Sequence, residues 1–171
     1  MIRPMTLNDI PEIVSIYAYY VHNTVITFDT EVPTEAEMRQ RLAPIIEHYP
    51  AWVCEEDGKV AGYCYAHEWK VKKAYRTTVE TTIYLHPDHS GKGYGKQLMD
   101  LLIDDCRRRS FHALIACITV PNEPSVKLHE RLGFKQVSCF HEVGRKFDRW
   151  LDVADYELII ELLHTSPYPI P

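Results

Sequence analysis

Thr77-Thr78-Val79-Glu80-Thr81-Thr82-Ile83-Tyr84-Leu85 runs directly into His86-Pro87-Asp88-His89-Ser90-Gly91-Lys92-Gly93-Tyr94-Gly95. The first segment is rich in β-branched and aromatic residues and reads as a long strand. Val79, Thr81, Ile83 and Leu85 share one face; Thr78, Glu80, Thr82 and Tyr84 share the other. The second segment is turn-rich, and Leu98, Leu101, Leu102, Ile103 and Cys106 then recur at helical spacing. A glycine-rich loop between a strand and a helix can bring its backbone close to a ligand and aim free amides at an anion. A phosphate or pyrophosphate is the natural guest; a tight connection without a ligand is the alternative. Two nucleotide motifs fail on the letters. The P-loop pattern meets Ser90 where its first glycine should stand and Gln97 after Gly95-Lys96, and the dinucleotide pattern would place its third glycine on Lys96.

Working outward, Ile2-Arg3-Pro4-Met5 reads as a short strand, and Thr6 to Asp9 resembles a helix start. Ile10, Ile13, Val14, Tyr17 and Val21 then follow at helical spacing. Thr34-Glu35-Ala36-Glu37 is a capping box for a second helix, which Pro44 is expected to kink or end. Ala51–Glu55, the turn pair Asp57-Gly58 and Val60–Ala66 predict a hairpin. Beyond the glycine loop come a helix, an apolar strand at Ala113–Val120 and a short helix from Pro124 to Leu132. Strands near Gln136–Val143 and Asp152–Ile160 follow. The order β-α-α-β-β-β-α-β-α-β-β predicts an α/β fold with a mixed central sheet flanked by helices. Residues 1–171 are expected to form one domain with an irregular tail from about 163, where Pro167, Pro169 and Pro171 fall.

Composition excludes several classes. The 171 residues carry 19 Lys and Arg against 24 Asp and Glu, a net charge of −5, so nucleic acid is not an expected partner. No apolar run approaches the roughly 18 residues of a membrane span. Met1–Ile13 has no apolar signal core, so no membrane partner and a cytoplasmic location are expected. Cys54, Cys64, Cys106, Cys117 and Cys139 lie in apolar runs with no C-x-x-C, and are expected to be reduced and buried. His86 and His89 lack the companions of a metal site, and none is expected.

Ser90-Gly91-Lys92-Gly93-Tyr94-Gly95 resembles the coenzyme A loop, Q/R-x-x-G-x-G/A, of the GNAT N-acetyltransferase superfamily, with Ser90 at the Gln/Arg position. Asn122-Glu123-Pro124-Ser125, Leu128-His129 and Gly133-Phe134 are similar to its later N-x-x-A…L-Y…G-F segment. Ala74-Tyr75-Arg76, Thr78-Val79-Glu80, Asn122–Ser125 and Gly144–Asp152 resemble the phosphinothricin acetyltransferase group in particular. The likeness spans Ile2 to about Leu162. It implies the GNAT acyl-CoA N-acyltransferase fold. It also implies acetyl transfer from acetyl-CoA, the co-substrate, to the amine of an amino acid or analogue such as phosphinothricin or methionine sulfoximine. An acetyltransferase for peptide or protein amines, and a non-catalytic acyl-CoA sensor, are the competing readings.

An α-amino group with a pKa of about 7.7–8.0 is mostly protonated at neutral pH, and a positioned base is worth roughly 10²–10⁴-fold. Glu80, a carboxylate in mid-strand against local propensity, is the candidate base, directly or through a water. The group's proposed base falls on the same residue. His129 stands where many superfamily members have the tyrosine that protonates the leaving thiolate, and acid and base roles both remain open for it. No nucleophile is flanked by a base, so direct attack is expected, with Cys117 the one thiol to test. The resemblance places the pantetheine and thioester on backbone groups of Ile83, Tyr84 and Leu85, the pyrophosphate on Gly91, Lys92, Gly93, Tyr94, Gly95 and Lys96, and has Asn122 bind the pantetheine arm or help place the thioester. Lys70, Lys72, Lys73 and Arg76 form a basic run that either receives a substrate carboxylate or is an ordinary solvated loop. Phe28, Lys70, Lys72 and Tyr75 match the group's substrate positions. The group also commonly pairs, and late strands rich in Phe, Trp and Val offer a patch for a homodimer.

Overall fold

Asp57 and Gly58 both take positive φ (52° and 76°), the twist that a two-residue hairpin requires. They join β2 (Ala51–Glu56) to β3 (Lys59–Glu68). The computed structural model describes residues 1–160, and the tail expected from about 163 lies outside them. The remaining strands are β1 (Ile2–Pro4), β4 (Thr78–Leu85), β5 (Ala113–Val120), β6 (Lys135–Lys146) and β7 (Arg149–Ile159). The helices are α1 (Ile10–Asn23), α2 (Glu35–His48), α3 (Tyr94–Arg108) and α4 (Glu123–Arg131). The order along the chain is the one expected from the sequence.

The strands form one seven-stranded sheet in the order β1-β2-β3-β4-β5-β7-β6. Every neighbouring pair is antiparallel except β4 and β5, which are parallel and joined through α3. One face packs Leu98, Met99, Leu102 and Cys106 of α3 on Val79, Leu114, Ala116 and Ile118. The other face, over β2 to β4, packs Ile10, Ile13, Ile16 and Val21 of α1 and Leu42 of α2 on Val53, Val60 and Tyr63. Each fully buried aliphatic side chain contributes about 1.5–3 kcal/mol. The helices thus cover β2 to β4 on both sides, while α1 and α2 leave their own face of β5 and β7 open.

Three expectations are corrected. Pro44 does not end α2, which continues to His48. Pro44 is exposed, so water can reach the carbonyl its missing N–H leaves unpaired. Cys117 and Cys139 are exposed, whereas Cys54, Cys64 and Cys106 are buried. The apolar run around Cys117 alternates across a strand, and its face looks into the open side of the sheet. Finally, β6 and β7 are longer than expected, because Phe147 and Asp148 (φ 50° and 56°) make a tight turn without a glycine to announce it.

Candidate active site

β4 and β5 are paired only from Thr78↔Ala113 to Glu80↔Ile115, although β4 runs on to Leu85 and β5 to Val120. At the divergence the Thr81 hydroxyl donates to the Ile115 carbonyl at 3.2 Å. The opening is a cleft of about 140 Å3 lined by Glu80, Thr82 and Tyr84 of β4, Cys117 and Thr119 of β5, and Asn122, Ser125 and His129. A groove of about 370 Å3 shares Ile26, Ile83, Tyr84, Asn122 and Ser125 with it and reaches Leu85, Pro87 and Ser90, at the edge of the glycine loop.

Backbone direction along β4 decides which groups the cleft can use. The His86 N–H donates to the Ala61 carbonyl at 2.8 Å, and the β3–β4 register has no bulge. By the alternation of an antiparallel ladder, the backbone of Tyr84 is turned to β3 and those of Ile83 and Leu85 to the cleft. The expectation for Tyr84 is therefore corrected: it offers its ring, packed edge-on against Tyr17 and Tyr20 at centroid distances of 5.2 and 4.9 Å. The Leu85 carbonyl accepts the Tyr20 hydroxyl at 2.6 Å. The Ile83 N–H and C=O and the Leu85 N–H are the groups that remain to meet a ligand.

Gly91 and Gly93 hold φ of 80° and 85°, and Gly93 caps the start of α3. A Cβ on Gly91 would meet open space, whereas one on Gly95 would sit 3.3 Å from Leu128 and 3.4 Å from Leu85. Gly91 and Gly93 are thus required by backbone shape, and Gly95 by packing. The first helical bond of α3 runs from the Gln97 N–H to the Gly93 carbonyl, so the amides of Tyr94, Gly95 and Lys96 have no intrahelical acceptor. The polar side chains of this loop are engaged elsewhere. Lys92 Nζ and the Tyr94 hydroxyl each reach Glu56 at 2.8 Å, and His89 Nδ1 meets the same carboxylate. Lys96 Nζ pairs with Asp100 at 2.6 Å. Lys92 and Tyr94 hold the Glu56 carboxyl down to about 2. The loop presents backbone amides, with its cations turned aside, and fits the pyrophosphate of a coenzyme.

Glu80 is two-thirds covered and lies on the open face of the sheet. Burial pushes its carboxyl above the usual range, His67 opposes that shift, and Asp155 adds to it. Cys117, open at the cleft surface, has its thiol pushed up to about 12 by desolvation and by Glu80 and Asp155. It is a thiol at neutral pH, not a nucleophilic thiolate. His129 is 2 % exposed, with its ring edge-on to Phe134 at 5.0 Å. Its Nδ1 lies 2.8 Å from the Ser125 carbonyl, which can only accept, so Nδ1 carries the proton. Burial lowers its pKa further from neutrality, leaving Nε2 a bare acceptor. Asn122 caps α4, its Oδ1 accepting the Ser125 N–H at 3.4 Å.

The structure brings Glu80, Ile83, Leu85, Asn122 and His129 to the connected cleft and groove. It does not bring the expected amine-side residues there. Lys70, Lys72, Tyr75 and Arg76 stand on an exposed loop and line neither space. Lys70 Nζ sits 3.9 Å from the centroid of Trp69 and 5.4 Å from that of Tyr75. Phe28 is 41 % exposed and lies over Gly144, where a Cβ would fall 2.1 Å from its ring. His67 and Asp155, which flank Glu80, were not singled out in the sequence; only strand register brings them there.

The acetyltransferase (GNAT) domain family matches residues 2–154. A phosphinothricin N-acetyltransferase of Streptomyces coelicolor is 39% identical over 160 residues, covering 91% of this chain and 94% of that protein. An L-methionine sulfoximine/L-methionine sulfone acetyltransferase of Salmonella typhimurium is 38% identical over 160 residues, covering 93% of each. The crystal structure of a GNAT superfamily phosphinothricin acetyltransferase from Sinorhizobium meliloti in complex with AcCoA superposes with a TM-score of 0.91 at 37% identity, covering 98% of this chain and 92% of that one. No helix among the described residues is long and apolar enough to cross a membrane. With a matching family across nearly the whole chain and a shared architecture, the chain belongs to the GNAT family of acetyltransferases.

Proposed function

We propose that the protein acetylates the free amine of an amino-acid-like acid of the phosphinothricin or methionine sulfoximine type, in a complex that holds both substrates at once. Acetyl-CoA supplies the acetyl group as a thioester. The observation that carries the reading is the divergence of β4 and β5, which puts a desolvated carboxylate, a neutral imidazole and the free backbone of Ile83 and Leu85 around one opening. The relatives named above support the substrate class.

In this reading the amides of Gly91 to Lys96 hold the pyrophosphate and the Ile83 and Leu85 backbone orients the pantetheine and thioester, with an N–H there meeting the carbonyl oxygen as its charge grows. Asn122 steadies the arm from α4. An attacking ammonium sheds one proton before attack and another after it. Glu80 takes the first at its carboxylate, its raised pKa bringing it closer to the amine's. Nε2 of His129, neutral and bare, takes the second, and once charged it can protonate the departing sulfur. Lys72 and Arg76, exposed and making no ion pair among the described residues, receive the carboxylate from the loop that leads into β4. Phe28, Lys70 and Tyr75 supply the rim.

The chain also pairs as a homodimer. The β6–β7 hairpin exposes Val137, Phe140, Val143, Phe147 and Trp150, each more than half exposed, and β6 is an edge of the sheet among the described residues. A thiol-release assay with acetyl-CoA tests the function across amines, each offered as the free acid and as its ester. Turnover of free α-amino acids and little of the esters is expected. Equal kcat/KM for acid and ester removes the carboxylate, and no turnover with tight coenzyme binding makes the protein a sensor.

A further inference from the structure

His67 is the residue directly opposite Glu80 in the β3–β4 register, so both side chains leave the same face of the sheet. Its Nε2 lies 3.8 Å from Glu80 Oε1. Its Nδ1 lies 2.9 Å from the carbonyl of Glu68, an atom that can only accept. In the neutral ring this fixes the proton on Nδ1 and leaves the Nε2 lone pair directed at the Glu80 side. The His67 side chain is 29% exposed, while Glu80 faces the cleft. The Glu80 side chain is 30% exposed and lines the cleft, whereas His67 lines neither cleft nor groove, so its exposed surface opens outside them.

From this juxtaposition we propose that His67 is the proton outlet of Glu80, a positioning and relay residue that resets the base between turnovers. The proposal rests on the reading of Glu80 as the base. The transfers balance. The ammonium gives a proton to the Glu80 carboxylate, forming the carboxylic acid. That acid gives the proton to Nε2 of His67, forming an imidazolium whose Nδ1–H stays on the Glu68 carbonyl. The imidazolium then releases the Nε2 proton to solvent. The 3.8 Å gap closes by a small side-chain movement or holds one water, as apo catalytic contacts commonly do.

The other groups facing Glu80 do not serve this purpose. Cys117 of β5 stays a thiol, Tyr65 of β3 is half-buried with its own pKa raised, and Asp155 of β7 is a second carboxylate tied to the Ser138 hydroxyl at 2.9 Å. Asp155 disfavours the Glu80 anion by its like charge, and a charged His67 favours it. His67 is thus the neighbour that both accepts a proton and offsets Asp155.

The test compares pH profiles of kcat/KM for wild type, His67→Asn, His67→Gln and Glu80→Gln, with and without imidazole in the buffer. Removing His67, which opposes the upward shift of Glu80, is expected to move the acidic limb up by about half a pH unit or more, to lower kcat and to let added imidazole restore part of it. A His67→Asn or His67→Gln enzyme with reduced kcat but an unmoved limb and no imidazole rescue overturns the relay, as does wild-type behaviour in both. If Glu80→Gln abolishes the limb in either case, Glu80 stands as the base and the relay alone has failed. If Glu80→Gln keeps the limb, the base itself lies elsewhere.

Discussion

Two loops lie on either side of β4 in the chain, and they are built in opposite ways. In Ser90–Lys96 the side chains are tied back, Lys92 and Tyr94 to Glu56 and Lys96 to Asp100, and the backbone is what faces outward. In Trp69–Thr77 the backbone folds into a short 3-10 turn at Lys73–Tyr75, and exposed cationic side chains face outward. Backbone amides in a fixed turn read a constant group such as a pyrophosphate without losing side-chain freedom. Long cations on an exposed loop adapt to ligands that vary. The contrast is in keeping with the proposal that the first loop holds the invariant coenzyme and the second meets the variable amine.

The largest effect tests the wall between these loops. Glu80→Gln should lower kcat by roughly 10²-fold or more while leaving the acetyl-CoA KM nearly unchanged, because it removes a base and no coenzyme contact. It should also stabilise the fold. The folded-state pKa of Glu80 is raised, so its favourable contribution is present below the ordinary carboxylate range and is lost as pH rises through the raised value. Gln mimics the protonated form, so Tm should rise at pH 7.5 and the gain should shrink towards pH 4. A lower Tm at pH 7.5 would contradict a desolvated anion.

Gly93→Val comes next. Placing a β-branched residue at φ 85° costs about 1–3 kcal/mol, and the side chain blocks close approach to the amides. The acetyl-CoA KM should rise about 10-fold or more in steady-state kinetics, with the amine KM little moved; equal rises would erase the contrast between the loops. Glu56→Gln should raise the acetyl-CoA KM by a smaller factor, since it loosens Lys92, His89 and Tyr94 without touching the backbone turn. A lower KM, with a released Lys92 binding the phosphates directly, would show that the side chains matter more than the amides. Arg76→Ala should be the smallest. Its exposure reduces a charge-assisted bond worth about 1.5–3 kcal/mol when well shielded. A rise of about 3-fold in the amine KM for the acid, and none for the ester, is expected.

The loops differed in legibility for the same reason. The glycine loop announces itself because positive φ at Gly91 and Gly93 restricts the residue type, and the Asp57-Gly58 hairpin was readable on the same ground. The turn at Phe147-Asp148 takes the same conformations with ordinary residues and left no mark. Pro44 was legible as a breaker but not as an exposed one, since exposure belongs to the packed helix. Glu80 was readable as a carboxylate out of place in a strand. His67 and Asp155 were not, because they meet Glu80 through the registers of β3, β5 and β7. The exposure of Cys117 and the commitment of the Tyr84 backbone likewise follow from where β4 and β5 part, which no local pattern encodes.

Direct transfer across the β4–β5 opening is the centre of this account, and initial velocities measured while both acetyl-CoA and the amine are varied test it most directly. Intersecting double-reciprocal lines are expected, and no acetyl group on the protein when it is mixed with acetyl-CoA alone and weighed by intact mass spectrometry. With its thiol pushed up to about 12, Cys117 has almost no thiolate to acylate at neutral pH. Parallel lines, together with an acetyl adduct that disappears in Cys117→Ser, would contradict it.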